Sequence, residues 1–283
     1  TKIMITLWQG LCHLPTSWHP PIGKFCGKLL FIIAKGRKKI AKANLAACFP
    51  NLSATDQQKL LKENFMYLGR SFIDTGIAWF WSNKKIQRQL DYEVIGYDLL
   101  SLGASKYGNL IIFKHSQHLE LDARILAMSA SVYGVSRSHN SVSMNKVQEN
   151  GRLKSMEDTA DKNNPRKFMK WLKNGKNVMY AIDQDYGWDH SVKLKFFNQD
   201  AATITAVKKI IDATNANLLF INSFYENNKL VLKVESIDHI GLDSLELAQK
   251  INNIMEEKIL QHPAEYLWMH RRFKSTLGKN FYK

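Results

Sequence analysis

The spacing of the hydrophobic residues changes partway along the chain. Between Ser53 and Trp81, apolar residues recur at helical spacing, and Ser53 is suited to cap a helix at its start. From residue 110 onwards, short apolar runs alternate with amphipathic stretches. The runs that predict buried strands cover residues 110–113, 131–136, 178–182, 218–224 and 230–234. This alternation predicts an α/β fold with a mostly parallel central sheet flanked by helices.

Residues that predict helices lie between these runs and after the last of them. Asn164 and Pro165 supply a cap and a first helical residue, so they open one helix. Asp243 and Glu246 have the spacing of a capping box, which predicts another helix after them. Amphipathic spacing predicts further helices over residues 119–128, 143–153 and 203–213.

The first fifty residues differ from the rest in charge. They carry eight Lys or Arg and no acid, beside an apolar stretch that includes Trp8 and Trp18. This combination suits the headgroup boundary of a bilayer, and prolines interrupt the run too often for a clean spanning helix. The alternative is an ordinary buried helix pair. We predict a helical, membrane-associated N-terminal extension over residues 1–50 and a single α/β domain over residues 51–283.

The composition narrows the class of protein. The chain has 283 residues, 45% of them apolar, so a disordered chain is excluded. Its 40 basic and 25 acidic residues give a net charge of +15, which favours an anionic partner: nucleic acid, a phosphorylated substrate, an acidic protein or an anionic bilayer. Cys12, Cys26 and Cys48 form no metal-binding spacing, so we expect no metal site.

Titratable side chains follow the first predicted strand. His115 would lie in the turn after Phe113, and Glu120 on the first turns of the next helix. A carboxylate held to one imidazole nitrogen leaves the other free to take a proton from a hydroxyl. His118 and Asp122, one helical turn apart, form a second candidate pair. From the residues alone, either pair is also typical of an ordinary polar cluster.

Further polar residues share the same edge of the predicted sheet: Arg137 follows the second strand, Arg152 follows the next helix and Arg166 opens another helix. Arg137, Arg152 and Arg166 are candidates to bind phosphates of a substrate, and solvated helix faces are the alternative. Asp183 and Asp185 follow the third strand and either hold those arginines, as part of a substrate-binding site, or form a turn beside a glycine. In the basic, aromatic C-terminal segment 263–274, we expect a packed element with its two adjacent arginines exposed.

These blocks together resemble the late acyltransferases of lipid A biosynthesis in Gram-negative bacteria. His115 to Glu120 is the H-x4-D/E motif of glycerolipid-type acyltransferases, and its spacing selects this pair over His118. Six blocks carry the resemblance in order along the chain: residues 37–50, 115–120, 137–140, 163–166, 183–187 and 266–274.

The resemblance implies a reaction, its partners and its location. A fatty acyl group passes from the phosphopantetheine thioester of acyl carrier protein, which is a co-substrate, to a hydroxyl of a Kdo-bearing lipid A precursor. His115 acts as general base and Glu120 orients it, without a metal or a bound cofactor. Arg137, Arg152 and Arg166 bind lipid phosphates or the phosphopantetheine arm. The enzyme works at the cytoplasmic face of the bacterial inner membrane.

Three other functions remain open at this point. A membrane-surface acyltransferase acting on another glycerolipid or glycolipid would carry the same motif. A nucleic-acid-binding protein is suggested only by charge, and we expect no nucleic acid because the basic residues lie beside an apolar N-terminus. A structural membrane protein with a vestigial site is the third.

Overall fold

The computed structural model describes residues 2–101, 106–136 and 141–283. The helices are α1 (Lys2–Cys12), α2 (His19–Ile33), α3 (Lys35–Cys48), α4 (Ala54–Phe80), α5 (Asn83–Gln89), α6 (Leu119–Ser129), α7 (Val142–Arg152), α8 (Pro165–Lys173), α9 (Ala206–Thr214), α10 (Ser244–Gln261) and α11 (Lys274–Leu277). The strands are β1 (Tyr92–Ile95), β2 (Asn109–Phe113), β3 (Val132–Ser136), β4 (Asp158–Asp161), β5 (Asn177–Ala181), β6 (Ser191–Phe196), β7 (Gln199–Ile204), β8 (Asn217–Glu226) and β9 (Lys229–Ser236).

Within the described residues, seven strands form one sheet in the order β1-β9-β8-β2-β5-β3-β4. The five strands from β8 to β4 are parallel to one another. β9 returns antiparallel beside β8 and carries β1 at the edge, while β6 and β7 form a separate hairpin. The predicted α/β fold with a mostly parallel central sheet flanked by helices is therefore confirmed.

The central position of β2 follows from its sequence. Leu110, Ile111 and Ile112 are fully buried, because β2 has neighbouring strands on both sides and helices on both faces. Successive side chains alternate between two hydrophobic layers. Leu110 and Ile112 belong to the layer that holds α3, α8, α9 and α10, and Ile111 and Phe113 to the layer that holds α6 and the end of α4.

The predicted helix starts are confirmed by their caps. The Ser53 side chain accepts a hydrogen bond from the backbone N–H of Asp56, at the start of the long helix α4. Asn164 caps α8 in the same way, and Asp243 with Glu246 forms the capping box of α10. The helix predicted from residue 203 begins later, at Ala206, because residues 199–204 pair with β6 instead.

The N-terminal helices pack on α4 at very short distance. A Cβ atom built on Gly69 would lie 2.0 Å from the carbonyl oxygen of Gly23 and 2.3 Å from the nitrogen of Gly27, so only glycine fits this crossing of α2 and α4. The outer side of α2 leaves Phe25 68% and Ile32 66% exposed. No helix in the described part of the chain is long and apolar enough to cross a membrane. Membrane association of this segment stays a prediction.

Candidate active site

The ends of two adjacent parallel strands bring His115 and Asp183 together. Phe113 of β2 lies in register with Ala181 of β5, and each side chain of the pair lies two residues further along its own strand end. The backbone N–H of His115 donates to Oδ2 of Asp183 at 2.9 Å, and Nδ1 of the imidazole forms a hydrogen bond with Oδ1. Asp183 therefore holds both the backbone and the ring of His115.

The surroundings of Asp183 keep it ionised. Burial alone would raise the pKa of this carboxyl, but the charge of His115 and hydrogen bonds from it lower the pKa well below its usual range, with a smaller contribution from Tyr266. Asp183 is 3% exposed. A buried carboxylate that stays charged is suited to stabilise an imidazolium next to it.

The second ring nitrogen of His115 faces an open cavity. The amide Nε2 of Gln184 lies 3.1 Å from Nε2 of His115, and both residues line the cavity. Since the carboxylate of Asp183 accepts from Nδ1–H, the neutral ring carries a lone pair on Nε2. In the structure this lone pair accepts a hydrogen bond from the amide of Gln184, so a hydroxyl that enters the cavity would replace that amide and give its proton to Nε2.

Glu120 does not take the position we predicted for it. Its carboxylate accepts hydrogen bonds from Nε1 of Trp79 at 2.8 Å, from Nε2 of Gln148 at 3.2 Å and from Nε of Arg152 at 3.0 Å. From the first turn of α6, the Glu120 side chain points toward α4 and α7. The imidazole of His115 is instead hydrogen-bonded to Asp183, which follows β5. Asp183, which we had placed with the substrate-binding residues, is therefore the hydrogen-bonding partner of the imidazole.

The partners of Glu120 also fix its charge. Burial would raise the pKa of this carboxyl, but the Arg152 guanidinium and the hydrogen bonds from Arg152, Trp79 and Gln148 lower it below its usual value. Glu120 and Arg152 both line the cavity that His115 faces. The two predicted catalytic side chains thus share one cavity without direct contact between them, and a role for Glu120 in the reaction stays a prediction.

The cavity combines polar groups with an apolar lining. Its volume is about 580 Å³. The polar part includes His115, Glu120, Arg152 and Gln184. The apolar and small residues of the lining include Phe113, Leu119, Ala123, Gly134, Met156 and Met179. A cavity with this lining has room for a hydrocarbon chain next to His115.

The remaining predicted site residues that the structure describes have different surroundings. Arg137 falls outside the described residues. Arg166 is exposed on the first turn of α8, and Arg152 lines the cavity in its ion pair with Glu120. Asp185 lines the cavity too, but its carboxylate accepts from the backbone and hydroxyl of Ser275, both at 2.7 Å. Of the two arginines that the structure describes, Arg152 lines the cavity and Arg166 does not, and the roles of all three arginines stay predictions.

The second candidate pair of the sequence, His118 and Asp122, is buried. His118 contacts Asp122 through Nδ1 at 2.7 Å and Glu265 through Nε2 at 2.8 Å, and its side chain is 1% exposed. Burial would lower the pKa of His118, but the two carboxylates raise it to about 9. Both ring nitrogens are occupied, so this histidine supports the loop that carries His115 and has no access to a substrate.

The C-terminal segment supplies partners that sequence reasoning missed. The backbone N–H of Leu267 donates to the carbonyl oxygen of His115 at 2.9 Å, which holds the loop in place from the far end of the chain. Arg271 is exposed, as expected. The expected exposure of Arg272 is wrong, because its buried guanidinium donates to the carbonyl of Ala202 at 2.7 Å and to Oγ1 of Thr203 at 3.1 Å.

Comparison with known proteins identifies the family of the chain. The sequence model of the family described as bacterial lipid A biosynthesis acyltransferase matches residues 1–275. The chain belongs to this family of lipid A acyltransferases. The resemblance stated from its motifs is confirmed.

Individual members of the family are similar over nearly the whole chain. The lipid A biosynthesis palmitoleoyltransferase of Escherichia coli strain K12 is 32% identical over 260 residues, 90% of this chain and 84% of that protein. The lauroyltransferase of the same strain is 33% identical over 276 residues, 95% and 89% of the two chains. A lipid A biosynthesis acyltransferase of Haemophilus influenzae is 29% identical over 279 residues, 96% and 89% of the two chains.

Proposed function

We propose that this lipid A acyltransferase moves a fatty acyl group from acyl carrier protein to a hydroxyl of a phosphorylated, Kdo-bearing lipid A precursor. The observation that carries the proposal is the His115–Asp183 pair at the edge of a partly apolar cavity. The hydroxyl belongs to the acceptor, so the enzyme needs no nucleophile of its own. The reaction takes place at the cytoplasmic face of the inner membrane.

In the proposed reaction, the imidazole of His115 first accepts a proton and then donates it. Nε2 of His115 takes the proton of the acceptor hydroxyl while the oxygen attacks the thioester carbonyl. Asp183 stabilises the imidazolium that forms. When the tetrahedral intermediate collapses, the C–S bond breaks and the imidazolium gives its proton to the departing phosphopantetheine sulfur. The products are the new ester and free thiol, and no metal or bound cofactor takes part.

Glu120 and Arg152 have a different role in this scheme from the one we first predicted. Their ion pair leaves Arg152 fixed on the wall of the cavity that His115 faces. We assign Arg152 to binding the acyl donor or the developing negative charge, and Glu120 to positioning Arg152. Arg137 and Arg166 remain candidates for contact with the phosphates of the acceptor or with the phosphopantetheine arm.

The charge of the chain suits both partners of this reaction. A net charge of +15 attracts an acidic carrier protein and an anionic glycolipid alike. The exposed apolar residues of α2, beside the basic residues 35–42, would place the enzyme on the membrane surface.

The proposed function is tested with purified enzyme and defined substrates. The enzyme is incubated with a panel of acyl-carrier-protein thioesters and lipid A precursors, and products are read by mass spectrometry. We expect acyl addition to the lipid A precursor, with no transfer to lysophosphatidic acid or other lysophospholipids. Transfer to those acceptors instead would identify a membrane-surface acyltransferase of another lipid class.

A further inference from the structure

A second cavity lies beside the one that His115 faces. It is open, has a volume of about 720 Å³ and is formed where the end of α2 and the start of α3 meet the C-terminal segment. Its cationic lining residues are Lys35, Arg37, Arg271 and Lys274. The two cavities share Asp185, His270 and Lys274, so a molecule with two arms can occupy both.

Hydrogen bonds from α3 hold these cations together. Asn44 is buried and donates to the carbonyls of Trp268 and His270, both at 2.7 Å, and Arg37 donates to the carbonyl of Met269 at 3.3 Å. The backbone segments that carry these basic residues, from opposite ends of the chain, are therefore held around one space. Such an arrangement concentrates positive potential, which raises the local concentration of anions.

The cavity contains little negative charge to balance these cations. Within the described ranges, no carboxylate lies within ion-pair distance of Lys35, Arg37, Arg271 or Lys274. The carboxylate of Asp185 is buried and accepts hydrogen bonds from Ser275 and Gly187 instead. Like charges gathered without a counter-charge repel one another, and a bound anion would offset that cost.

His270 completes the lining as a neutral group. Its Nε2 accepts a hydrogen bond from the backbone N–H of Asp185 at 3.2 Å, and burial lowers its pKa to about 4. At neutral pH the ring adds no charge to the cavity. The positive charge therefore comes from exposed lysine and arginine side chains, which can move to fit a ligand.

One wall of the same cavity is apolar. Ile33 lines it and is 61% exposed, at the end of the α2 side where Phe25, Leu29 and Ile32 are also exposed. A ligand that satisfies both parts has an anionic head and a hydrocarbon body. We propose that this cavity binds a phosphate group of the acceptor glycolipid while the acceptor hydroxyl lies beside His115. This inference rests on the proposed function and places a phosphate at residues outside the predicted arginine set.

The test removes two charges from the cavity and compares the result with the loss of two charges elsewhere on the surface. The variant Lys35→Gln/Arg271→Gln loses two cavity cations, and the control Lys84→Gln/Arg88→Gln loses an exposed lysine and an exposed arginine of α5, outside the lining. Binding of each full-length protein is measured to detergent micelles that carry a bisphosphorylated lipid A precursor or its dephosphorylated form. Circular dichroism verifies that each variant is folded. If the double variant is not folded, the single variant Arg271→Gln replaces it in the binding measurement.

We expect the cavity variant to bind the phosphorylated lipid about tenfold more weakly, since losing charge-assisted hydrogen bonds has this size of effect. Binding of the dephosphorylated lipid should change less than twofold, and the control should match wild type with both lipids. An equal loss for both lipids, or an equal loss in the control, would overturn the assignment. So would inorganic phosphate alone binding as tightly as the lipid, because the site would then serve a free anion.

The binding experiment is independent of turnover. If wild-type enzyme transfers no acyl group to the precursor yet the contrast between lipids persists, the phosphate site stands and the proposed function fails. If transfer is normal and the contrast is missing, the phosphate site fails and the proposed function stands. In the transfer assay, the cavity variant should raise the apparent KM for the phosphorylated acceptor about tenfold and leave the KM for the acyl donor unchanged.

Discussion

Asp183 holds His115 through both the imidazole and the backbone N–H, from the neighbouring strand of a parallel sheet. The pair lies at the carboxyl ends of β2 and β5, the edge where α/β proteins place functional groups. This relationship makes Asp183, which follows the motif by more than sixty residues, the carboxylate that orients the proposed base.

The first prediction is that the rate of acyl transfer depends on His115 and Asp183 and not on a nearby exposed aspartate. His115→Ala should lower kcat about 10³-fold, and Asp183→Asn about 10²-fold or more, because general-base catalysis contributes about 10²–10⁴. Asp189→Asn, an exposed position six residues further on, is the matched control and should keep wild-type activity. Steady-state acyl transfer measures all three. An Asp183→Asn enzyme within a few-fold of wild type would falsify the orienting role.

The second prediction concerns the ion pair of Glu120 and Arg152. If Glu120 acts by positioning Arg152, the losses in kcat from Glu120→Gln and Arg152→Gln should not add, and the double variant should resemble Arg152→Gln alone. We also expect Glu120→Gln to lower the free energy of unfolding by about 1–3 kcal/mol, because it leaves a half-buried guanidinium partly unsatisfied. A double-mutant cycle in activity and in urea unfolding measures both effects. Fully additive losses in kcat would contradict the positioning role.

The third prediction is a pH dependence of stability from the buried pair around His118. Its pKa is raised from 6.5 to about 9 in the folded state by Asp122 and Glu265, against the effect of burial. The folded state therefore holds a proton that the unfolded state has lost, so this stabilisation is complete below pH 6.5 and disappears as pH rises toward 9. Between pH 7 and 8 the free energy of unfolding should fall by up to about 1 kcal/mol.

The pH range for that measurement is set by the other buried groups. Burial lowers the pKa of Lys114 to about 8, which gives an opposing contribution above that pH. Burial raises the pKa of Asp74 to about 6, so its own change is nearly complete below pH 7. Urea unfolding of wild type and His118→Gln at pH 7, 7.5 and 8 isolates the effect. Equal slopes in the two proteins would show that His118 is not the titrating group.

The fourth prediction tests the proposed contact of α2 with the membrane. Phe25→Glu/Ile32→Glu should reduce partition to anionic vesicles at least tenfold, since each buried side chain of this size contributes about 1.5–3 kcal/mol. Ile240→Glu/Leu260→Glu changes two equally exposed apolar residues away from α2 and should leave partition unchanged. Vesicle co-sedimentation measures both. A similar reduction in the two variants would point to net charge as the cause.

Strands in the interior of the sheet could be predicted from the sequence because burial on both faces leaves continuous apolar runs, as in residues 110–113. The edge strands β1 and β4 could not. Each has only four residues, and β1 alternates between half-buried and exposed positions. The β6–β7 hairpin was missed as well, and its tight turn places Phe197 and Asn198 at positive φ, where phenylalanine gives no sequence signal.

The candidate base could be predicted, but its partner could not. The spacing of His115 and Glu120 describes only the local chain, and the choice between carboxylates depends on the register of β2 with β5. A usable signal was present, since both residues follow predicted strands at a similar distance. Glu265, which fixes His118, follows it by 147 residues and had no such signal.

The glycine crossing of α2 and α4 has a mechanical consequence. With backbone against backbone at Gly23, Gly27 and Gly69, there are no long side chains between the helices that could rearrange to let α2 roll or slide. A surface that binds the outer side of α2 would therefore also set the tilt of the whole enzyme. The same tilt would set the direction in which the cavity that His115 faces opens.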